Sequence, residues 1–367
     1  MLHYKSWQTD DKHPSTVHLL WFRHDEHQLR AVPAGPDFPL SAYFRDPTNP
    51  KAYITPPMLA QQAGALACVG GDFMATVWDR LGFVTYVPPK IITGQPIHAL
   101  VIDREIWTTG RRGMAYYGGG DLSHIDRNKI RVKVWINGES YDIDSVNRGH
   151  SAICAFTARG GTNEFARHGR GKTFILLGAP GPWESVGISM RRRYTVRAVM
   201  ERRPPLVAGD EILIETRVPM PGAKVGEWVG WVQTLGYGGV SQVVGGLTEL
   251  VRDGKVLVNF AEGGTGISHG PDNPYRLPNP RTAIGISEGG LTTMLVAVEG
   301  RIEESRGVRL KELACIMREQ GAYAAFNMDG GGSTHMWMAD KGLVANSCYG
   351  DGTIEDLRPN VYATCVL

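Results

Sequence analysis

The sequence predicts an α+β fold made of a β-rich mixed sheet with few helices, and three observations carry that expectation. Apolar runs of strand length recur from one end of the chain to the other. Helical patterning marks only the segments 56–63 and 308–320. Glycine supplies 46 of 367 residues, well above average usage, which suits a chain with many turns.

Taken in order, 16–22 and 29–33 read as a first hairpin, and the helical segment 56–63 leads into a buried apolar run over 65–69. Strands are expected at 97–102, 129–136, 152–157, 173–177, 194–199 and 211–217, then at 256–259, 282–286 and 293–298. In the last third, Leu310, Leu313, Ala314 and Met317 repeat at helical spacing and Gly321 stops the helix. A buried strand follows over 322–328. A hairpin with arms 335–338 and 343–346 turns at Asp340-Lys341-Gly342. No linker or charge block divides the chain, so residues 1–367 read as a single domain. Segments 103–128 and 218–240, rich in Gly, Trp and Tyr, read as long surface loops.

The most chemically pointed stretch is Phe326-Asn327-Met328-Asp329-Gly330-Gly331-Gly332-Ser333-Thr334. It sets a carboxylate at a strand end and follows it with three glycines and two hydroxyls. Glycines in series suit a main chain that takes positive φ or lets a ligand approach closely. Inward-turned N–H groups in such a loop form an anion-binding concavity, to which Ser333 and Thr334 add hydroxyl donors. A glycine-rich hairpin turn without a ligand is the plain alternative. A dinucleotide fold is excluded, since a strand rather than a helix follows the glycines. Gly171-Lys172-Thr173 lacks the upstream glycine of a P-loop.

The helix, the strand and Asn-Met-Asp-Gly-Gly-Gly-Ser-Thr together resemble the closing motif of the phosphodiester glycosidase family. Other segments agree in order. Gly64 to Phe73, with Gly70-Gly71-Asp72, is similar to the family's first glycine turn, and Ser145-Val146-Asn147-Arg148 to its central Val-Asn element. Gly245-Gly246-Leu247 with Asp253-Gly254-Lys255, Pro280-Arg281-Thr282-Ala283-Ile284-Gly285, Glu299-Gly300-Arg301 and Arg358-Pro359-Asn360-Val361 complete the set. Two positions depart from the family pattern: Val69 stands where the family usually has Asn, and Glu299 where it usually has Asp.

The resemblance implies hydrolysis of a sugar-1-phosphodiester in a glycan, glycolipid or cell-wall polymer; N-acetylglucosamine is the sugar associated with the family, and the sequence itself does not select one. Arg281 and Arg301 would offer planar forks to phosphate oxygens, with the Gly330, Gly331 and Gly332 amides and the Ser333 and Thr334 hydroxyls. Gly70, Gly71, Asp72, Asn147, Asn327 and Arg358 complete the substrate-binding set. Asp329 or Glu299 would activate water or steady an oxocarbenium-like centre, and His335 would serve as acid or base. Each has a structural counterpart: Arg281 paired with Glu299, Arg358 anchoring the last strand, His335 or His269 in the core, the asparagines capping turns. The alternative from another class is a non-catalytic carbohydrate-binding or phage virion component with the same fold. No cofactor is expected, although Asp329, Glu299 and Asp72 together would suit Ca²⁺ or Mg²⁺.

Net charge of +2 gives no global pull toward nucleic acid. Arg191-Arg192-Arg193 and Arg202-Arg203 alternate with apolar residues, which assigns the arginines to the wet face of a strand; Arg167, His168, Arg170 and Lys172 read as a loop. Trp107, Tyr116, Tyr117, Trp228, Trp231 and Tyr237 are either core or platforms for sugar rings, with Trp228 and Trp231 the stronger sugar candidates beside glycines. The five cysteines show no Cys-x-x-Cys spacing, which disfavours a zinc site or a dense disulfide framework. The start of the chain lacks a signal-sequence pattern and no run has the length of a membrane span, so a cytoplasmic protein or one released by lysis within a virion is expected.

Overall fold

A computed structural model describes residues 1–10, 12–34, 54–71, 98–110, 113–117, 120–125, 127–147, 151–158, 173–204, 209–236, 238–246, 248–257, 277–346, 357–358, 360 and 362–367. The fold is mostly β. Among the described residues there are two α-helices, α1 (Pro56–Gln62) and α2 (Leu310–Glu319), and four sheets. The expected α+β class is therefore corrected toward all-β, because most apolar runs pair into ladders and few helices cover them. Among the described residues, strand pairing is antiparallel except between Ser145–Val146 and Ile153–Thr157.

A 7-stranded sheet runs in the order His3–Gln8, Thr16–Arg23, Thr292–Val298, Arg281–Ser287, Ala322–Asn327, Thr248–Arg252, Lys255–Val256. One face carries α2, whose Leu310, Leu313, Ala314 and Met317 form a buried stripe against Val17, Leu19, Val251 and Val296. Glu312 closes the first turn of α2 by accepting from the Arg309 amide, as an N3 carboxylate does in a capping box. The opposite face buries Leu20, Ile284, Leu295 and Phe326 against a 5-stranded sheet. That sheet has the order Gly342–Asn346, His335–Met338, Ala67–Gly70, Tyr362–Val366, Leu29–Pro33. The central strand Ala322–Asn327 is thus covered on both sides, and its end is fixed by two layers.

The third element is a 9-stranded, nearly closed barrel-like sheet whose interior is filled by Val134, Ile136, Ile175, Leu177, Tyr194, Val196, Ile214 and Trp231. A further 5-stranded sheet joins Glu105–Thr108, Leu100–Ile102, Val240–Val244, Gly113–Tyr117 and Asp121–Ile125. These strands correct the expected long loops: within 103–128 and 218–240 the aromatic and β-branched residues build ladders, and glycines sit largely at their turns.

The first hairpin is also corrected. Thr16–Arg23 pairs with His3–Gln8 and Thr292–Val298, whereas Leu29–Pro33 crosses to pair with Tyr362–Val366. Of the arginine cluster, Arg191 and Arg193 face out, but Arg192 turns inward with its side chain 12% exposed. Arg203 likewise pairs with buried Glu215 at 3.3 Å and lies 4.4 Å over the Phe156 ring. Trp228 and Trp231 are three apart in one strand and so point to opposite faces: Trp228 is exposed and Trp231 buried. Trp107 and Tyr116 pack in the core. Tyr237, His269, Arg148 and Asp72, and the segments 258–259 and 167–172, lie outside the described residues. No helix among the described residues is long and apolar enough to cross a membrane.

Candidate functional site

Register in the 7-stranded sheet assembles the candidate site at one edge. Arg281 lies opposite Val298, and Ala283 lies opposite Asn327, so the start of Arg281–Ser287 is flanked by the ends of its two neighbours. Beyond those ends follow Glu299-Gly300-Arg301 on one side and Met328-Asp329-Gly330 on the other. The Met328 amide continues the ladder by donating to the Thr282 carbonyl at 2.8 Å. Segments distant in sequence therefore meet because antiparallel pairing leaves them no other place.

After Asp329 the chain turns sharply. The Gly331 amide donates to the Pro280 carbonyl at 2.9 Å, and a single 3₁₀ turn over Gly331–Ser333 delivers the chain to the His335–Met338 strand of the facing sheet. Gly331 holds φ +61°, and a Cβ there would sit 3.2 Å from Nη2 and 3.6 Å from Cζ of Arg301. The absent side chain is what lets the guanidinium lie on the loop. Arg301 is itself held at φ 63°, an uncommon conformation for a non-glycine residue. Its Nε and Nη2 both donate to Asn279 Oδ1, at 3.1 and 2.8 Å, which fixes the plane of the fork. The remaining Nη1 of this exposed side chain has no protein acceptor among the described residues.

Asp329 is 9% exposed and accepts the Gly330 amide at 2.9 Å, which orients its carboxylate at the turn. Arg281 is 5% exposed, and its Nε and Nη2 donate to the Val308 and Leu277 carbonyls at 3.1 Å each. Much of its fork is therefore committed to the protein. Glu299 Oε1 accepts the Asn346 amide at 3.1 Å and lies 3.6 Å from His18 Nε2, which in turn has Tyr4 Oη 2.8 Å from its Nδ1. Burial raises the Glu299 carboxyl, but His18 and the Asn346 amide outweigh it and hold it below the ordinary carboxylate range. The Arg281–Glu299 ion pair weighed from the sequence does not appear among the salt bridges of the described residues.

The first glycine turn reaches the same loop from the facing sheet. A Cβ on Gly70 would overlap the Ser333 carbonyl oxygen and come 2.7 Å from Asn360 Nδ2 and 3.4 Å from His335 Cε1. Ser333, Thr334, His335 and Asn360 are all fully buried or within 1% of it, and Gly332 is buried beside them. Burial pushes the His335 imidazole down to about 4, against an opposing pull from the Ser333 carbonyl, and neither ring nitrogen makes a well-formed hydrogen bond. His335 is therefore neutral near pH 7. Asn327 is 1% exposed, donates to the Met328 carbonyl at 2.8 Å, and leaves its Oδ1 buried without a partner.

Not every candidate joins this cluster. Asn147 lies with the barrel-like sheet, where its Nδ2 donates to the Trp107 carbonyl and Thr157 Oγ1 and its Oδ1 accepts the Thr157 amide. That is the turn-satisfying role open to any buried Asn. Gly71 packs against Tyr362, whose hydroxyl accepts the Gly245 amide at 2.7 Å. Arg358 is half-buried next to Leu357, ahead of the last strand. Among the described residues no three His, Cys, Asp or Glu side chains gather as metal ligands would. Sequence reasoning missed Asn279, which anchors Arg301; its place between Pro278 and Pro280, two residues before Arg281, was the available signal. It also missed Asn346 and His18, which carry no motif at all.

Residues 202–366 match the family of phosphodiester glycosidases. No curated protein matches the chain. Among solved structures, the chain is similar to a hypothetical protein from Synechocystis, with 16% identity and a TM-score of 0.62 over 100% of this chain and 62% of that one. A putative exported protein from Burkholderia pseudomallei is similar at 17% identity and a TM-score of 0.63, over 96% of this chain and 74% of that one. The catalytic domain of zebrafish N-acetylglucosamine-1-phosphodiester alpha-N-acetylglucosaminidase, auto-inhibited by its pro-peptide, aligns over 100% of this chain and 82% of its own at 12% identity and a TM-score of 0.44. This chain thus spans less than two thirds of the Synechocystis protein, and the likeness to the Synechocystis and Burkholderia structures speaks to the fold alone.

Proposed function

We propose that the chain hydrolyses a sugar-1-phosphodiester at the edge of its 7-stranded sheet. The observation that carries this reading is the Arg301 fork lying against the side-chain-free Gly331, with the Asp329 carboxylate two residues before it. A phosphodiester needs a cation and amide donors for its charge, and an acid residue close by for the chemistry. The match of residues 202–366 to phosphodiester glycosidases supports the same class.

In this scheme Arg301 Nη1 and the Gly332 amide hold the phosphate oxygens, whereas the Gly330 and Gly331 amides expected to join them are spent on Asp329 and the Pro280 carbonyl. The C1–O bond breaks with its electron pair leaving on the phosphate oxygen, which becomes a phosphomonoester. Asp329 takes a proton from water, whose oxygen bonds to C1, or steadies the positive charge that develops there. The leaving group is already a weak base, so charge stabilisation outweighs protonation of the leaving oxygen. Glu299 and buried His335 are assigned to holding the Asn346 strand and the crossover in place. Arg281, with two carbonyls on its fork, is assigned to shaping the loop at Pro280.

A second reading, a carbohydrate-binding protein without turnover, draws on Val69. That position is fully buried in the core between Met336 and Thr364 of its neighbouring strands, so no polar group projects from it toward the glycine turn. The deciding experiment is a panel of sugar-1-phosphodiesters, UDP-sugars and teichoic-type polymers incubated with the protein. Release of free sugar and phosphomonoester, read by mass spectrometry, supports hydrolysis. Binding without release on every member supports the second reading.

A further inference from the structure

We propose that the outer face of the barrel-like sheet is a docking surface for a glycan strand that carries phosphate groups. In the strand Arg131–Ile136 the side chains of Val134 and Ile136 fill the interior, so Trp135 between them points out. In Trp228–Thr234, Val229 and Trp231 point in and Trp228 points out. Both outward indoles are open to solvent, Trp135 at 48% and Trp228 at 62% exposure. Trp is on average a highly buried residue, and two bare indoles on one face mark a contact surface.

Register brings the two together beside arginines. Trp135 lies opposite Gly230, and Gly230 opposite Arg193 of the next strand, Ser189–Met200. Two residues along, Trp228 lies opposite Thr195, and Thr195 opposite Gly178. Trp135 and Trp228 are therefore diagonal neighbours on the same face, within reach of one ligand. Gly230 leaves the space between Trp135 and Arg193 open; a Cβ there would already touch Trp135 Cβ at 3.5 Å. Gly178 is bare in the same way, and the stem of exposed Arg197 lies across it, its Cγ 2.8 Å from where a Cβ would stand. The patch is thus two indoles and two guanidinium groups on a floor of glycine and threonine.

Charge names the occupant. Further along the same face Lys133 pairs with Asp142 at 3.4 Å and Arg191 with Glu184 at 2.6 Å. Exposed Glu227 beside Trp228 is offset by exposed Lys224 in the same turn. Arg193 and Arg197 have no ion-pair partner among the described residues, so the uncompensated charge is two planar forks of the kind that fit phosphate oxygens. Indoles suit the C–H faces of sugar rings. A peptide fits less well: these strands have neighbours on both sides and offer no edge for strand addition, and the outside of a closing sheet is no groove for a helix. A globular partner would need an apolar centre within about 800 Å² per side, and here charged residues ring the two indoles. Single-stranded nucleic acid also stacks on tryptophan, but it follows a continuous basic track, and Lys133 and Arg191 are already paired. The choice of phosphate over carboxylate as the anionic group rests on the hydrolysis reading above; the place of the surface does not.

Calorimetric titration of the full chain with glucosylated poly(ribitol phosphate), which has sugar rings and phosphates but no sugar-1-phosphodiester, tests it. Oligogalacturonate, maltoheptaose and oligo(dT) serve as the carboxylate, neutral and nucleic-acid probes. The phosphate polymer is expected to bind most tightly, and Trp135→Ala and Trp228→Ala each to weaken it by roughly 3- to 10-fold through a lost ring face. Arg193→Gln should weaken it by roughly 2- to 5-fold, an effect that fades with added salt. Lys133→Gln, whose charge is already paired, should bind as wild type does. Thermal melts verify folding, and turnover of a small sugar-1-phosphodiester should be unchanged in both tryptophan variants. No polymer binding at millimolar repeat unit would overturn the proposal, as would binding indifferent to both tryptophans or weakened equally by Lys133→Gln and Arg193→Gln. Tighter binding of any other probe would overturn it too. Polymer binding that needs both tryptophans in a protein without turnover would uphold this surface and remove the hydrolysis reading alone, whereas turnover without polymer binding would do the reverse.

Discussion

Replacing Gly331 by alanine separates backbone strain from site chemistry, provided Gly342→Ala is made beside it. Gly342 holds φ +75° at the tip of a hairpin and has nothing within 4 Å of its missing Cβ; Gly331 holds φ +61° with Arg301 Nη2 at 3.2 Å. Both substitutions force an L-residue into the left-handed region, at a cost of about 1–2 kcal/mol. Only at Gly331 does the new methyl also meet the Arg301 guanidinium, closer than an unstrained contact allows, and push the fork off the loop. Urea denaturation should therefore give comparable losses for the two variants, with Gly331→Ala the larger by up to about 1 kcal/mol. Turnover of a sugar-1-phosphodiester should divide them: Gly342→Ala keeps wild-type activity, and Gly331→Ala loses about 10²-fold or more, as happens when one preorganised charge contact is removed. Equal, near-wild-type activity in both variants would refute the claim that Gly331 makes room for Arg301.

Other perturbations follow from the same geometry. Asn279→Ala removes the acceptor for both Arg301 Nε and Nη2 and should raise KM more than it lowers kcat, read by steady-state kinetics, because the fork loses its orientation before any charge is lost. His335 has a folded value depressed to about 4 from an ordinary 6.5, so between these limits the unfolded chain binds the proton and stability falls as pH falls. At about 1.4 kcal/mol per unit the full effect is about 3 kcal/mol below pH 4, and His335→Gln should flatten the pH 4 to 6.5 limb of urea stability. Glu299 is also depressed, so its contribution is present above the unfolded carboxyl value and is lost as pH falls through the folded one; Glu299→Gln should remove that part of acid lability, seen in melts below pH 5. Val69→Asn places an amide in the core between the two sheets and should cost about 1–3 kcal/mol by denaturation, whatever it does to substrate binding.

What the sequence disclosed, and what it hid, has a physical basis. The helix after Val308, the strand to Asn327 and the hairpin around Asp340-Lys341-Gly342 were legible because each carries its own periodicity and stop signal. The strand expected over 16–22 was legible too, but its partner was not, because pairing with Thr292–Val298 is set by the hydrophobic faces of distant segments rather than by the short connection to Leu29. Segments 103–128 and 218–240 looked like loops because turn glycines are dense there, which masked Glu105–Thr108, Gly113–Tyr117 and Trp228–Thr234. The three-residue offset between Trp228 and Trp231 already implied opposite faces once a strand was granted. In the site, Asp329 and the glycines announced themselves, whereas Asn279 and the double carbonyl engagement of Arg281 depend on a crossing at Val308 that no local pattern encodes.

The most direct test of the account compares wild type with Asp329→Asn on one sugar-1-phosphodiester, measuring both kcat and Kd. The substitution keeps the shape of a side chain that is 9% exposed and removes its charge. The account predicts wild-type release of sugar and phosphomonoester, a fall in kcat of roughly 10²-fold or more in the variant, and a Kd that is unchanged or lower, because a carboxylate no longer repels the phosphate. Turnover that survives unaltered in Asp329→Asn would contradict it.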